Sequence, residues 1–219
     1  EAGGKAHAFT VHRPGELELP SGRIGACDPF TFSQVLPYSV QVAPGRYAVE
    51  LAVSQVSPDD QRVAFARIVF APGALAALSM IAAGGDDPSS LDDNEILGYG
   101  VDAGTACFMS PEAGAALAER LSRDASYDDE MVGRLEQTSR STWSWAEFRP
   151  DPGAPANVIA FSSGYGDGVY ACYLGTDADG RPLCVVSDFG VVSDEVPASA
   201  LTAPAPSPTP TRPWWRLWG

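Results

Sequence analysis

Lysine is almost absent: Lys5 is the only one in a chain of 219 residues. A phosphate-cradling P-loop needs a lysine directly after its glycines, so that class is excluded. Histidine is nearly as scarce, with only His7 and His12, both near the N-terminus. Ser162, Ser163 and Cys107 therefore have no histidine in the body of the chain to activate them, and a Ser-His or Cys-His nucleophile has no basis. Cysteine is limited to Cys27, Cys107, Cys172 and Cys184, without Cys-x-x-Cys spacing. That is too few for a disulfide scaffold, and the ligands are too scattered for a structural zinc. Each lies in an apolar or β-like run and reads as a buried free thiol. Cys172 and Cys184 flank a turn, a spacing that would let them face each other across a hairpin.

Positive charge is the next shortage. Lys and Arg total 14 against 28 Asp and Glu, a net charge of -14. Such a surplus repels phosphate backbones and anionic lipid, so nucleic acid and membrane surfaces are poor partners, while a basic protein suits it. No apolar run approaches the roughly 20 residues that a membrane span needs. Reduced thiols point to the cytoplasm. The start at Glu1 rather than Met is compatible with a removed leader, which keeps secretion open.

What is present is ordinary globular material: 45% hydrophobic and only 19% charged residues, with 22 glycines and 19 prolines. The last two numbers predict many turns between short strands. Strands are expected on both sides of the turn in 16–30, at 61–70, at 98–109 with a glycine kink, and at 157–162, 168–174 and 182–189. The alternation around Pro44-Gly45 in 38–56 predicts a hairpin. Residues 74–83 fit helix or strand equally. Ser110, Pro111 and Glu112 open the clearest helix of 111–137, and SYDDEMVGRLEQ opens a second. Trp143, Trp145 and Phe148 read as core or a shielding flap in an irregular region. The expected fold class is α+β and β-rich: an antiparallel sheet or sandwich with one or two covering helices. Three segments follow: an N-terminal extension (1–14), one β-rich domain (15–196) and a Pro-rich linker with a Trp-rich tail (197–219). Alternate prolines from Pro204 to Pro210 give that linker a polyproline II bias.

LPSGRIGACDPF, an APGRY segment, GYGVDAGTACF, FSSGYGDGVYACYLGTDADG and VSDF occur in that order. This series resembles the bacterial family of unknown function DUF4241 over roughly residues 15–190. The chain departs from it after VDAGTACF, where Ser110 or Glu112 stands in the place of the family's frequent acidic residue. The resemblance supplies no activity and no catalytic residue. A shorter likeness, the SGYGDGVY glycines with the DADG turn, is similar to SMI1/KNR4-type immunity domains, which neutralise toxins.

Within these motifs stand Asp28, Asp102, Asp167 and Asp188, each at a strand end or glycine turn. Brought together, they would offer carboxylate oxygens to a divalent metal or share proton transfer. Kept apart, each caps a turn by accepting backbone N–H bonds. TDADG at 176–180 lacks an EF-hand's closing glutamate and reads as a hairpin turn. Trp214, Trp215, Arg216, Leu217 and Trp218 form an aromatic and cationic cluster suited to docking. Three functions are consistent with these features. The first is a non-catalytic protein-binding domain, of immunity type in a bacterial conflict system. The second is a metal-dependent hydrolase using the four aspartates. The third is an assembly component docked through its Trp-rich tail. No cofactor is implied.

Overall fold

The computed structural model describes residues 9–92 and 95–192. These residues form strands β1 (Phe9–Leu19), β2 (Gly25–Cys27), β3 (Gly45–Ser57), β4 (Asp60–Val69), β5 (Ala77–Ile81), β6 (Gly98–Val101) and β7 (Thr105–Met109). Helices α1 (Pro111–Arg123) and α2 (Tyr127–Thr138) follow. Strands β8 (Trp145–Phe148), β9 (Val158–Ser162), β10 (Gly168–Thr176) and β11 (Pro182–Asp188) complete the order. All strand pairs are antiparallel and fall into two sheets. The large sheet runs β1-β3-β4-β11-β10-β5, and β6 lies end to end with β5 along the same edge of β10. The small sheet runs β2-β7-β9-β8. The fold is thus α+β and β-rich.

The small sheet is the middle of three layers, and strand alternation explains how it serves both neighbours. β7, Thr-Ala-Cys-Phe-Met, is buried at every position. Its Ala106 and Phe108, with Ile159 and Phe161 of β9, join the core beneath the large sheet. Cys107 and Met109, with Val158 and Ala160, face the other way and pack with the helices. Each fully buried Phe, Leu or Met contributes about 1.5–3 kcal/mol relative to exposure. On the helical side α2 presents Tyr127, Met131 and Leu135 at four-residue spacing. α1 presents Ala113, Gly114 and Leu117. Ser110 caps α1, its hydroxyl oxygen accepting the Ala113 N–H at 3.1 Å. Gly114 allows a close approach: a Cβ there would stand 2.3 Å from Val35 Cγ2, so the helix seats directly on the 28–38 loop.

Several sequence expectations are corrected. No hairpin folds around Pro44-Gly45. β3 is one continuous strand beginning at Gly45, paired with β1 on one side and β4 on the other. The preceding residues make only isolated bridges, Arg23 to Gln41 and Tyr38 to Ala83. Val40 and Val42 pack on the core from this irregular segment, and their alternation mimics a strand. Residues 74–83 resolve as strand β5. The expected kinked strand at 98–109 is two strands in different sheets, joined by Asp102-Ala103-Gly104. Trp145–Phe148 is a strand rather than irregular chain. Cys172 lies opposite Ser187 and Cys184 opposite Gly175, three rungs apart and on opposite faces of the hairpin, so they do not face each other. Of the N-terminal extension expected at 1–14, residues 9–14 belong to β1, while residues 1–8 and the tail bearing Trp214, Trp215, Arg216, Leu217 and Trp218 lie outside the described residues.

Candidate functional site

The crossing from β6 to β7 carries the chain from the large sheet to the small one. Its three residues expose three successive backbone N–H groups. Two carboxylates take them all. Asp28, at the end of β2 and 1% exposed, accepts the N–H of Asp102 at 2.9 Å and of Ala103 at 2.7 Å through Oδ2. Its Oδ1 accepts the Phe30 N–H at 2.8 Å. Asp167, in the glycine turn before β10, accepts the Gly104 N–H at 2.9 Å. Gly104 has φ +62°, a left-handed conformation that glycine adopts without steric cost. Three segments far apart in sequence, Cys-Asp-Pro, Val-Asp-Ala-Gly and Gly-Asp-Gly, therefore meet at one crossing.

Beside this crossing opens a cleft of about 400 Å³. One wall is Cys27, Asp28 and the loop through Phe32, Leu36 and Tyr38; the second is Ile81–Ala83 with Asp86; the third is Leu97–Gly100 with Asp102. Tyr99 O–H pairs with Ser187 Oγ at 2.7 Å, and burial pushes both the Tyr99 and Tyr38 phenols well above 10. Both phenols are therefore neutral at physiological pH. Among the described residues, no lysine, arginine or histidine lines the cleft. Every described arginine except Arg140 is paired with a carboxylate elsewhere. Arg140 lies instead over the Trp145 ring. Asp86 and Asp102 have no cation within ion-pair distance among the described residues, so the formal charge on the cleft walls is negative only.

Of the four motif aspartates, three gather here, but through backbone amides rather than side chain to side chain. Asp188 stands apart on β11, opposite Phe65, with its Oδ1 accepting the Gly190 N–H at 2.9 Å. Among the described residues no group of three or more His, Cys, Asp or Glu is placed to hold a metal ion. Ser163 Oγ donates to the Gly166 carbonyl at 2.9 Å, and Ser162 Oγ accepts the Ser144 N–H at 2.9 Å, so both are absorbed in turn structure. The TDADG aspartate behaves likewise: Asp177 accepts the N–H groups of Asp179 and Arg181 across the β10–β11 hairpin turn. A second cavity of about 460 Å³, lined by His12, Gln55, Gln61, Arg140 and Trp143, lies away from this motif crossing.

Sequence reasoning missed Asp86, Tyr38 and Tyr99 as cleft residues. Tyr99 had a signal, since it sits in the Gly-Tyr-Gly-Val-Asp motif. Asp86 had none, because only the pairing of β5 with β10 brings its loop to the cleft.

The family model for proteins of unknown function DUF4241 matches residues 17–187, so the chain belongs to that family. No curated protein and no solved structure matches it. The matched span contains Asp28, Asp102, Asp167 and the whole lining of the cleft.

Proposed function

We propose that the chain is a non-catalytic binding domain whose cleft takes a cationic segment of a protein partner, an arginine or lysine flanked by apolar residues. The observation that carries this reading is a cleft lined by Asp28, Asp86 and Asp102 with no cation among its described lining residues, while every described arginine but Arg140 is paired with a carboxylate. Phe32, Leu36 and the neutral Tyr38 and Tyr99 supply the apolar and aromatic surface that a guanidinium or the stem of a lysine packs on. Catalysis by Cys27, Thr31 or Ser33 would require a base, and no imidazole is among the described lining residues.

The test is a titration of the full chain with fluorescent hexa-arginine, with hexa-glutamate as the control. Binding should weaken steeply with salt, and the double variant Asp86→Asn, Asp102→Asn should lose tenfold or more in affinity, equivalent to about 1.4 kcal/mol. Equal affinity for the double variant sinks the reading. Self-assembly through residues 214–218 is a second reading, favoured by their chemistry. Arg212 and Arg216 among three tryptophans offer the cation that the described lining of the cleft lacks, with rings to pack on its aromatic wall. In that case the full chain self-associates on sedimentation, and the same double variant reverses it.

A further inference from the structure

Cys27 and Cys107 are directly opposite one another in the antiparallel pair β2–β7. Opposed residues in such a pair have Cα atoms about 4.5 or 5.5 Å apart, depending on the rung. Both values fall within the roughly 4.4–6.8 Å that a disulfide spans. The sulfur atoms stand 3.7 Å apart, and the Cys107 thiol also donates to the Cys27 carbonyl at 3.2 Å. Bonding requires about 2.05 Å, a closure that small rotations about the Cα–Cβ bonds supply. All four cysteines are free. The other two, Cys172 and Cys184, are on different rungs and opposite faces of their hairpin.

Access separates the two partners. Cys107 is fully enclosed, whereas Cys27 is 9% exposed and forms part of the cleft wall next to Asp28. We propose that this pair is a thiol-modification site, in which Cys27 meets a small oxidant through the cleft and Cys107 resolves it to an intramolecular disulfide.

With a peroxide the chemistry balances without another reactant. The Cys27 sulfur attacks one peroxide oxygen; an S–O bond forms, the O–O bond breaks and water leaves, giving a sulfenic acid. The Cys107 sulfur then attacks the Cys27 sulfur. The S–S bond forms, the S–O bond breaks, and the hydroxyl departs as a second water with the Cys107 proton. Two thiols lose two electrons and two protons, and hydrogen peroxide is reduced to two waters. The product ties β2 to β7 one residue before Asp28. It thereby fixes the strand end from which Asp28 holds the crossing amides.

The experiment treats the native full chain with hydrogen peroxide, quenches it, unfolds it and counts thiols. The count should fall from four to two and return to four with dithiothreitol. Peptide mapping should join Cys27 to Cys107 with the loss of two hydrogens. Cys107→Ser should stop the reaction at a Cys27 sulfenic acid that dimedone captures, and Cys27→Ser should retain all three remaining thiols. Four surviving thiols in the wild-type chain, a bridge to Cys172 or Cys184, or oxidation only in urea that unfolds the protein would each overturn the proposal. The Cys107→Ser arm keeps the test independent of whether the bridge strains the sheet.

Discussion

Two buried carboxylates in this protein are satisfied in different ways. Glu50, 4% exposed on the large sheet, sits between two guanidinium groups. Its Oε1 accepts Arg13 Nε and its Oε2 accepts Arg67 Nε, both at 2.8 Å. Asp28, 1% exposed, accepts three backbone N–H groups and, among the described residues, no side-chain donor. Both arrangements satisfy the lone pairs of the carboxylate. Only the first cancels the charge. Amide dipoles stabilise an anion while leaving a full negative charge in place, so the Glu50 site is electrically closed and the Asp28 site is open. The difference separates a place where charge holds a sheet together from one where charge remains for a ligand.

The largest break in this comparison is Asp28→Ala. It orphans the N–H groups of Phe30, Asp102 and Ala103 together, and it frees the crossing between the two sheets. A loss of about 3–5 kcal/mol is expected, because each buried unsatisfied donor costs roughly 1–3 kcal/mol and water relieves part of that. Urea denaturation measures it. Asp28→Asn, with one oxygen left as acceptor, should fall between. A cost for Asp28→Ala under about 1 kcal/mol would show that the three amides do not depend on the carboxylate.

Glu50→Gln is the corresponding break on the large sheet. It should cost about 2 kcal/mol at pH 7, since it removes the charge opposite the largely buried Arg67 and the exposed Arg13. Its pH dependence carries the sharper information. Burial pushes the Glu50 carboxyl up, but the hydrogen bonds and charges of Arg67 and Arg13 outweigh burial and hold it below 4.5. A carboxylate held low in the fold adds stability that is present above its unfolded value and is lost as pH falls through the folded one. Urea midpoints measured downward from pH 7 should therefore fall for the wild type below about pH 4.5, and this part of the slope should vanish in Glu50→Gln. Matching acid slopes in the two proteins would remove the electrostatic account of Glu50.

The same contrast explains which parts of the molecule were legible in the sequence. Ser110, Pro111 and the Leu117 face announced α1 because capping and helical spacing are local. The three C-terminal strands were legible because glycine and aspartate turns bound them on each side. The partition of those strands between two sheets was not, since β9 and β10 differ in their long-range partners rather than in composition. The capping role was readable at Asp28 and Asp167, Asp-Pro and Gly-Asp-Gly being turn chemistry, whereas Asp102 contributes its backbone N–H instead. That Asp28 and Asp167 cap the same three-residue crossing depends on two sheets meeting. The Pro44-Gly45 hairpin misled because Val40 and Val42 alternate while lying on the core without a ladder. Cys27 and Cys107 lie 80 positions apart, and no spacing rule pairs them.

Asp188 supplies a third setting and the smallest effect. It is partly buried at the end of β11, and its carboxylate accepts one backbone N–H, from Gly190, with no arginine within ion-pair distance among the described residues. Burial raises it above 3.8, and the Gly190 N–H only partly offsets that rise. The sign is opposite to that of Glu50. A carboxyl raised in the fold takes up protons more readily than the unfolded chain, so its contribution is favourable at low pH and declines as pH rises from 3.8 through the folded value. Asp188→Asn keeps an oxygen for the Gly190 N–H and cannot ionise. It should match the wild type near pH 3 and exceed it at pH 7 by less than about 1 kcal/mol, with the gap opening between those limits. Urea midpoints for the two proteins across this range test the order directly. Two guanidiniums hold a buried carboxyl down, whereas a single amide fails to, and a constant gap at every pH would break that order because it would show that Asp188 does not titrate differently in the fold.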